Sequence, residues 1–151
     1  MARVYFGYDD YGVDGVDAEL IQFVFDVVVS LTGVPAESEA GLVIATDEHM
    51  QKLNRDYRGK DCSTNILTFT FSETAMPGLE EEKDYLGDVF ISRTKLLSEA
   101  EEQKVSPKQR FVELFVHGLM HLSGRHHGSG AEAAKTEALE EEATRKVLEA
   151  E

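Results

Sequence analysis

A cluster of histidines between residues 117 and 127 constrains this chain more than any other feature. Four of the five histidines in the 151-residue sequence lie within these eleven positions. His117 and His121 are four residues apart, so on a helix they lie one turn apart on the same face. Gly124 follows where a helix needs a left-handed residue to end. The chain can then turn back and bring His126 or His127 to a metal ion as a third ligand. Three protein ligands and an open position predict a catalytic zinc site.

The spacing can be compared with the zinc-binding pattern H-E-x-x-H-x-x-G-x-x-H of the metzincin peptidases. The residues that match its histidines and its glycine are His117, His121, Gly124 and His127. This match favours His127 over His126 as the third ligand. Gly118 stands where the peptidases have the glutamate that acts as general base, so the chain keeps the metal geometry and lacks that base. A glycine inside a helix costs about 1 kcal/mol relative to alanine. Gly118 therefore predicts close approach of another backbone or a substrate.

A histidine pair at this spacing can also be an ordinary feature of a helix surface. That explanation accounts poorly for four histidines within eleven residues and a glycine at the expected turn. We therefore expect a metal site on this helix.

Length and composition indicate one ordinary globular domain spanning residues 1–151. The hydrophobic content of 42% is typical of such proteins. No apolar run approaches the length of a membrane span, and polar residues at four-residue spacing make the segment from Ile21 to Leu31 an amphipathic helix. No signal peptide is recognisable, and the single cysteine, Cys62, cannot form an internal disulfide. These features predict a cytoplasmic protein that does not contact a membrane.

The net charge of −14, taken alone, argues against binding to nucleic acid. The basic residues, however, are clustered. One group comprises Lys52, Arg55, Arg58 and Lys60, and a second comprises Lys104, Lys108, Arg110 and Arg125. The acidic residues concentrate in segments 9–19, 80–84 and 132–151, where we expect a solvated surface. A metal cation and a few basic side chains can still form one positive cleft.

Residue periodicity and turn signals predict an α+β fold in which a small mixed sheet of about four strands packs against about five helices. Strands are expected at 3–8, 39–46, 63–71 and 86–92, the last two joined as a long hairpin. Helices are expected at 17–32, 48–57, 94–103, 107–123 and 132–148. Asp17, Ser106 and either Thr46 or Asp47 are the expected N-caps. The helix at 107–123 should be central, because it combines an apolar face with the metal site.

Three stretches together resemble the YbeY family of bacterial metal-dependent endoribonucleases. Residues 117–127 are similar to its signature H-G-x-L-H-L-x-G-Y-D-H, with Met120 in place of a leucine. The stretches LNRDYRGKD at 53–61 and STNILTF at 63–69 resemble a second family block, and LGDVFIS at 86–92 resembles a third. The resemblance covers most of the chain from about residue 42. Arg125 and His126 depart from the family's aromatic residue and aspartate, and Thr70 replaces a common proline.

The resemblance implies one zinc ion bound by His117, His121 and His127. It also implies that Arg58 is functional and faces the metal across a cleft. The implied activity is single-strand-specific endoribonuclease cleavage in ribosomal RNA maturation and ribosome quality control, acting with the small ribosomal subunit. Zinc and an arginine suit phosphodiester chemistry, because both stabilise negative charge on phosphate oxygens. The nucleophile can be a metal-bound water or the RNA 2′-hydroxyl. Without the resemblance, Arg58 would be interpreted as a surface charge at a helix end.

Other polar and aromatic residues have ordinary structural explanations. Asp88 could orient a histidine ligand, although a turn or edge role is equally consistent with its position. Glu113 lies one turn before the first histidine and is expected to be solvated, and His49 is not expected to be a ligand. Tyr57 is assigned to the core and Cys62 to a buried thiol.

Two other functions compete with the endoribonuclease hypothesis. The first is a zincin-like metallohydrolase that acts on another substrate, which the glycine at position 118 disfavours. The second is a non-catalytic ribosome assembly factor with a structural metal, which the acidic net charge favours.

Overall fold

The structure is a computed structural model that describes residues 2–70, 85–124 and 130–150. Its strands are β1 (Arg3–Tyr8), β2 (Glu39–Ala45), β3 (Ile66–Thr70) and β4 (Tyr85–Ser92). Its helices are α1 (Ala18–Thr32), α2 (Asp47–Arg58), α3 (Arg93–Gln103), α4 (Pro107–Leu122) and α5 (Ala131–Glu149). The predicted α+β fold is confirmed. The third strand begins later than expected, and Phe71 lies outside the described residues.

The four described strands form one mixed sheet in the order β1-β2-β4-β3. Strand β2 is parallel to both of its neighbours, β1 and β4, whereas β3 pairs with β4 in the antiparallel sense. The antiparallel register runs from Ile66 opposite Ile91 to Thr70 opposite Gly87. This pairing agrees with the predicted hairpin, although the connection at 71–84 is outside the described residues. Strands β1 and β3 lie at the two edges of the sheet.

The predicted helix starts are confirmed by their capping hydrogen bonds. The side chains of Asp17, Thr46 and Ser106 each accept a hydrogen bond from the backbone N–H three residues later. Thr46 is therefore the cap of α2, and Asp47 is its first helical residue. Each such cap contributes about 1 kcal/mol to the stability of its helix. The cap at Ser106, followed by Pro107, fixes where the histidine-bearing helix begins.

Helix α4 is the most buried helix of the described part of the chain, as predicted. Its fully buried residues are Phe111, Val112, Phe115, Val116, Leu119 and Met120, each at 0% or 1% exposure. They pack with α1, α5 and one face of the sheet. Successive side chains of a strand point to opposite faces, so Ile66 faces α4, whereas Leu67 and Phe69 face α2 with Met50.

Two assignments to the interior are wrong. Tyr57 is 61% exposed, because α2 buries a narrow face and only the edge of this ring contacts Phe69, at a centroid distance of 5.3 Å. Cys62 is exposed in the loop after α2. The buried polar residue nearby is Asn54, whose side chain donates to the Cys62 carbonyl at 2.9 Å. No helix within the described residues is long and apolar enough to cross a membrane.

Candidate metal centre

His117 and His121 lie at the rim of α4, beside its buried face. Both side chains are partly exposed, and their rings meet at a centroid distance of 4.8 Å with an interplanar angle of 69°. The two Nε2 atoms are 3.3 Å apart. The helical spacing has therefore brought the same ring nitrogen of both residues to one point at the surface, as the sequence predicted.

The separation of the two Nε2 atoms can be compared with that required by zinc. Two nitrogens at zinc–nitrogen distances of about 2.0–2.1 Å in a tetrahedral site are about 3.3–3.4 Å apart. The observed 3.3 Å meets this requirement without movement of the helix. The same distance also suits a hydrogen bond between the rings. The fit to zinc therefore rests on the distance together with the fact that imidazole nitrogens are common zinc ligands.

The third predicted ligand, His127, and its competitor His126 both lie outside the described residues, as does Arg125. Among residues 2–70, 85–124 and 130–150, no group of three His, Cys, Asp or Glu side chains is arranged to hold a metal ion. The described part of the site thus contains two of the three predicted ligands, His117 and His121, and ends at Gly124. The φ angle of Gly124 is 87°, in the left-handed region predicted for the residue that ends this helix.

Glu140 contacts the first histidine from α5. Its Oε1 lies 2.8 Å from Nδ1 of His117, and its side chain is 18% exposed. Sequence reasoning missed this residue, because Glu140 belongs to an acidic helix that was expected to be solvated. Nothing in the local sequence distinguishes it from Glu141 or Glu142, and only the packing of α5 against α4 reveals its partner.

Gly118 lies between the two histidines and permits close packing of α4 on the sheet. A Cβ atom at this position would lie 3.0 Å from both Ile66 Cδ1 and Val89 Cγ1. The sequence predicted that another group approaches Gly118 closely, and this is confirmed. The expectation that this group is a backbone or a substrate is wrong. The approaching groups are side chains of β3 and β4. A larger residue here would push the helix, and the histidines with it, away from the sheet.

Arg58 lies at the end of α2 and reaches across the edge strand β3. Its Nη2 donates to the Thr68 carbonyl at 2.7 Å, and its guanidinium carbon is 4.9 Å from the centre of the Phe69 ring. The described contacts thus bring His117 and His121 together with Glu140, while those of Arg58 are with β3. Both the histidine-bearing helix and Arg58 contact β3, because Ile66 of this strand packs next to Gly118.

Asp88, which could orient a histidine ligand, and Glu113, which was expected to be solvated, both have partners other than the histidines. The carboxylate of Asp88 accepts a hydrogen bond from the Tyr85 hydroxyl, so its described partner is not a histidine. Glu113 forms an ion pair with Arg110 at 2.9 Å. Burial lowers the pKa of Arg110, but its hydrogen bonds to Glu113 and Glu99 outweigh this effect and raise the pKa. Glu113 is therefore held by an ion pair rather than solvated.

A second histidine–carboxylate pair lies elsewhere in the molecule. Nδ1 of His49, near the start of α2, is 2.7 Å from Oδ2 of Asp9. Burial raises the pKa of Asp9, but hydrogen bonds from the Thr46 backbone N–H and from His49 outweigh it and lower the pKa. Among the described residues, His49 and Asp9 belong to no group of three His, Cys, Asp or Glu side chains that could hold a metal ion.

Comparisons with a family model and with curated relatives identify the same family. The family model described as Endoribonuclease YbeY matches residues 12–148. A curated Endoribonuclease YbeY of Chloroflexus aurantiacus is 36% identical over 129 residues, covering 83% of this chain and 84% of the relative. Relatives of the same description from Hydrogenovibrio crunogenus and Neisseria gonorrhoeae are 39% and 33% identical, covering 70% and 77% of this chain and 67% and 78% of their own lengths.

A solved structure supports the fold independently. The solution structure of TM1509 from Thermotoga maritima aligns with a TM-score of 0.61 and covers 97% of this chain and 89% of its own. The sequence identity is 17%, so this likeness bears on the fold alone.

Proposed function

The chain belongs to the Endoribonuclease YbeY family, and from this membership we propose that it is a zinc-dependent, single-strand-specific endoribonuclease of ribosomal RNA processing. The proposed role is maturation of small-subunit ribosomal RNA and quality control of ribosomes in the cytoplasm. The proposed site holds one zinc ion on His117, His121 and His127. The observation that carries the metal part of the proposal is the 3.3 Å separation of the His117 and His121 Nε2 atoms.

The residues divide the chemistry between them. A bound zinc supplies Lewis acidity, which polarises a phosphate oxygen and lowers the pKa of a bound water toward ~7. His117 and His121 hold the metal from a rigid, buried helix. Arg58, whose side chain is exposed, donates paired hydrogen bonds to two oxygens of one phosphate of the RNA strand. Its contact with the Phe69 ring restricts the guanidinium before substrate binds.

The acidic net charge is compatible with this role, because the basic residues of α2 are local and exposed. Lys52, Arg55, Arg58 and Lys60 are all solvent-exposed on α2 or just after it. Of these, Lys52, Arg58 and Lys60 offer phosphate contacts, whereas Arg55 is paired with Asp56 at 3.1 Å and the acidic surface elsewhere repels RNA. Binding should therefore be weak and sensitive to salt, as expected for few phosphate contacts.

The decisive test separates RNA cleavage from metal binding. Arg58→Ala should retain zinc and lose about 10²–10³-fold in the rate of cleavage of a single-stranded RNA, the effect of removing one charge-stabilising donor. Arg55→Ala is the matched control, because Arg55 is exposed on the same helix and pairs with its neighbour Asp56 at 3.1 Å. It should cleave at nearly the parental rate. Cleavage that persists in Arg58→Ala after extensive purification would contradict the proposed role of the arginine.

A ribosome assembly factor with a structural metal is the second candidate. The net charge of −14 favours it, since an acidic protein attracts basic ribosomal proteins. Binding to such a protein requires no RNA cleavage site. Under this function the purified parent would bind zinc and small subunits but would leave single-stranded RNA intact.

A further inference from the structure

We propose that Glu140 is a positioning residue that fixes the tautomer and orientation of His117 for metal binding. This inference rests on the proposed zinc site and extends it to the C-terminal helix. Its basis is the 2.8 Å contact between Glu140 Oε1 and His117 Nδ1.

The two nitrogens of an imidazole have different tasks in such an arrangement. A carboxylate on Nδ1 stabilises the tautomer in which that nitrogen carries the proton, which leaves the lone pair on Nε2. The Nε2 of His117 lies 3.3 Å from that of His121, so this lone pair belongs to the nitrogen that faces the proposed metal position. The Glu140 oxygen is on the opposite side of the ring from that position. It therefore acts on the metal through His117 and not as a ligand through the same oxygen.

Burial distinguishes Glu140 from the other acids of α5. Its side chain is 18% exposed, whereas Glu137 and Glu141 are exposed to solvent. The helix is anchored in the core by Ala143 and Val147, which are both fully buried. A partly buried carboxylate beside an imidazole interacts with it more strongly than a surface pair, because solvent screens it less.

This geometry makes the C-terminal helix part of the metal site. His117 and Glu140 are 23 residues apart in sequence, and docking of α5 brings them together. Outer partners of metal-bound histidines typically contribute 10–100-fold to metal affinity. A change that loosens α5 should therefore weaken zinc binding even though it touches none of the proposed ligands.

The test is a zinc titration of the metal-free full chain against a chromophoric chelator. Glu140→Ala should weaken zinc affinity by about 10–100-fold, and Glu140→Gln, which keeps an acceptor without the charge, should weaken it less. Glu141→Gln is the matched control, because it removes the same charge from an exposed neighbour on the same helix. Nitrogen NMR of the metal-free protein gives a second measurement: His117 should have its proton on Nδ1 in the parent and a mixture of tautomers in Glu140→Ala.

The outcomes separate this inference from the proposed function. Parental zinc affinity in Glu140→Ala, with an unchanged His117 tautomer, would overturn the positioning role while RNA cleavage by the parent still upheld the endoribonuclease. Weakened affinity in a protein that never cleaves RNA would support the positioning role and contradict the endoribonuclease. Absence of zinc binding in the parent would overturn both. Circular dichroism of each variant distinguishes a local loss from unfolding.

Discussion

The molecule contains two histidine–carboxylate pairs of nearly equal geometry and different surroundings. His117 and Glu140 meet at 2.8 Å, and His49 and Asp9 meet at 2.7 Å, in both cases through Nδ1 of the imidazole. The two histidines are also similarly accessible, at 39% and 36% side-chain exposure. Distance and exposure therefore do not distinguish a candidate metal ligand from a structural pair.

The difference lies in what each pair has beside it. His117 has a second imidazole whose Nε2 is 3.3 Å from its own, so its outward nitrogen faces a second candidate ligand. The His49 and Phe90 rings meet edge to face with their centroids 5.7 Å apart, and the Asp9 carboxylate also accepts the Thr46 backbone N–H at 2.9 Å. Glu140 thus contacts a histidine that is also a candidate metal ligand, whereas Asp9 joins the end of β1 to the start of α2.

The largest expected effect comes from removing the second imidazole. His121→Ala should lose stoichiometric zinc and all measurable RNA cleavage, because loss of a ligand exceeds the 10–100-fold effect of an outer partner. Metal content by elemental analysis and cleavage of a single-stranded RNA measure the two losses. The matched control is His49→Ala, which should keep both zinc and activity. Zinc retained by His121→Ala and lost by His49→Ala would reverse the assignment of the two pairs.

The sequence predicted the elements of this site better than its tertiary contacts. Spacing alone placed His117 and His121 on one helical face, because the helical repeat is fixed by backbone geometry. Cap chemistry likewise located Ser106, and a glycine at the expected turn located Gly124. Glu140 could not be predicted, since its partner depends on how α5 packs, and the neighbouring glutamates look identical in sequence. Tyr57 was misplaced for the same reason: its exposure depends on how narrow a face of α2 packs against the rest of the molecule.

Gly118→Ala offers a smaller effect that disturbs the first pair alone. Alanine gains about 1 kcal/mol of helix propensity, but overpacking a core costs about 1–3 kcal/mol. Its Cβ would meet Val89 side-chain carbons at 3.0 and 3.2 Å, and a β-branched side chain in a strand has little freedom to move. We expect a net loss of about 0–2 kcal/mol in the free energy of unfolding, with weaker zinc binding, measured by urea denaturation and metal titration.

The control for this change is Gly7→Ala on β1, where an added Cβ meets no atom within 4 Å. It should leave both stability and zinc affinity close to the parent. Unchanged zinc affinity in a destabilised Gly118→Ala would show that the histidines do not depend on how closely α4 packs against the sheet.

The smallest effect tests the structural pair by pH. Because hydrogen bonds lower the pKa of Asp9 in the folded protein, its charge stabilises the fold fully above its unfolded pKa of about 3.9. That contribution is lost as the pH falls through the lower folded pKa. Asp9→Asn should therefore reduce the free energy of unfolding by about 0.2–1 kcal/mol at neutral pH, the range for exposed pairs. The difference from the parent should begin to shrink below about pH 4 and should disappear as the pH falls through the lower folded pKa of Asp9. Urea denaturation between about pH 3 and 7 measures this difference. If the stability difference between the parent and Asp9→Asn grew on acidification, the lowered pKa of Asp9 would be contradicted. Any loss of zinc affinity in Asp9→Asn would mean that the two histidine–carboxylate pairs are coupled through the sheet.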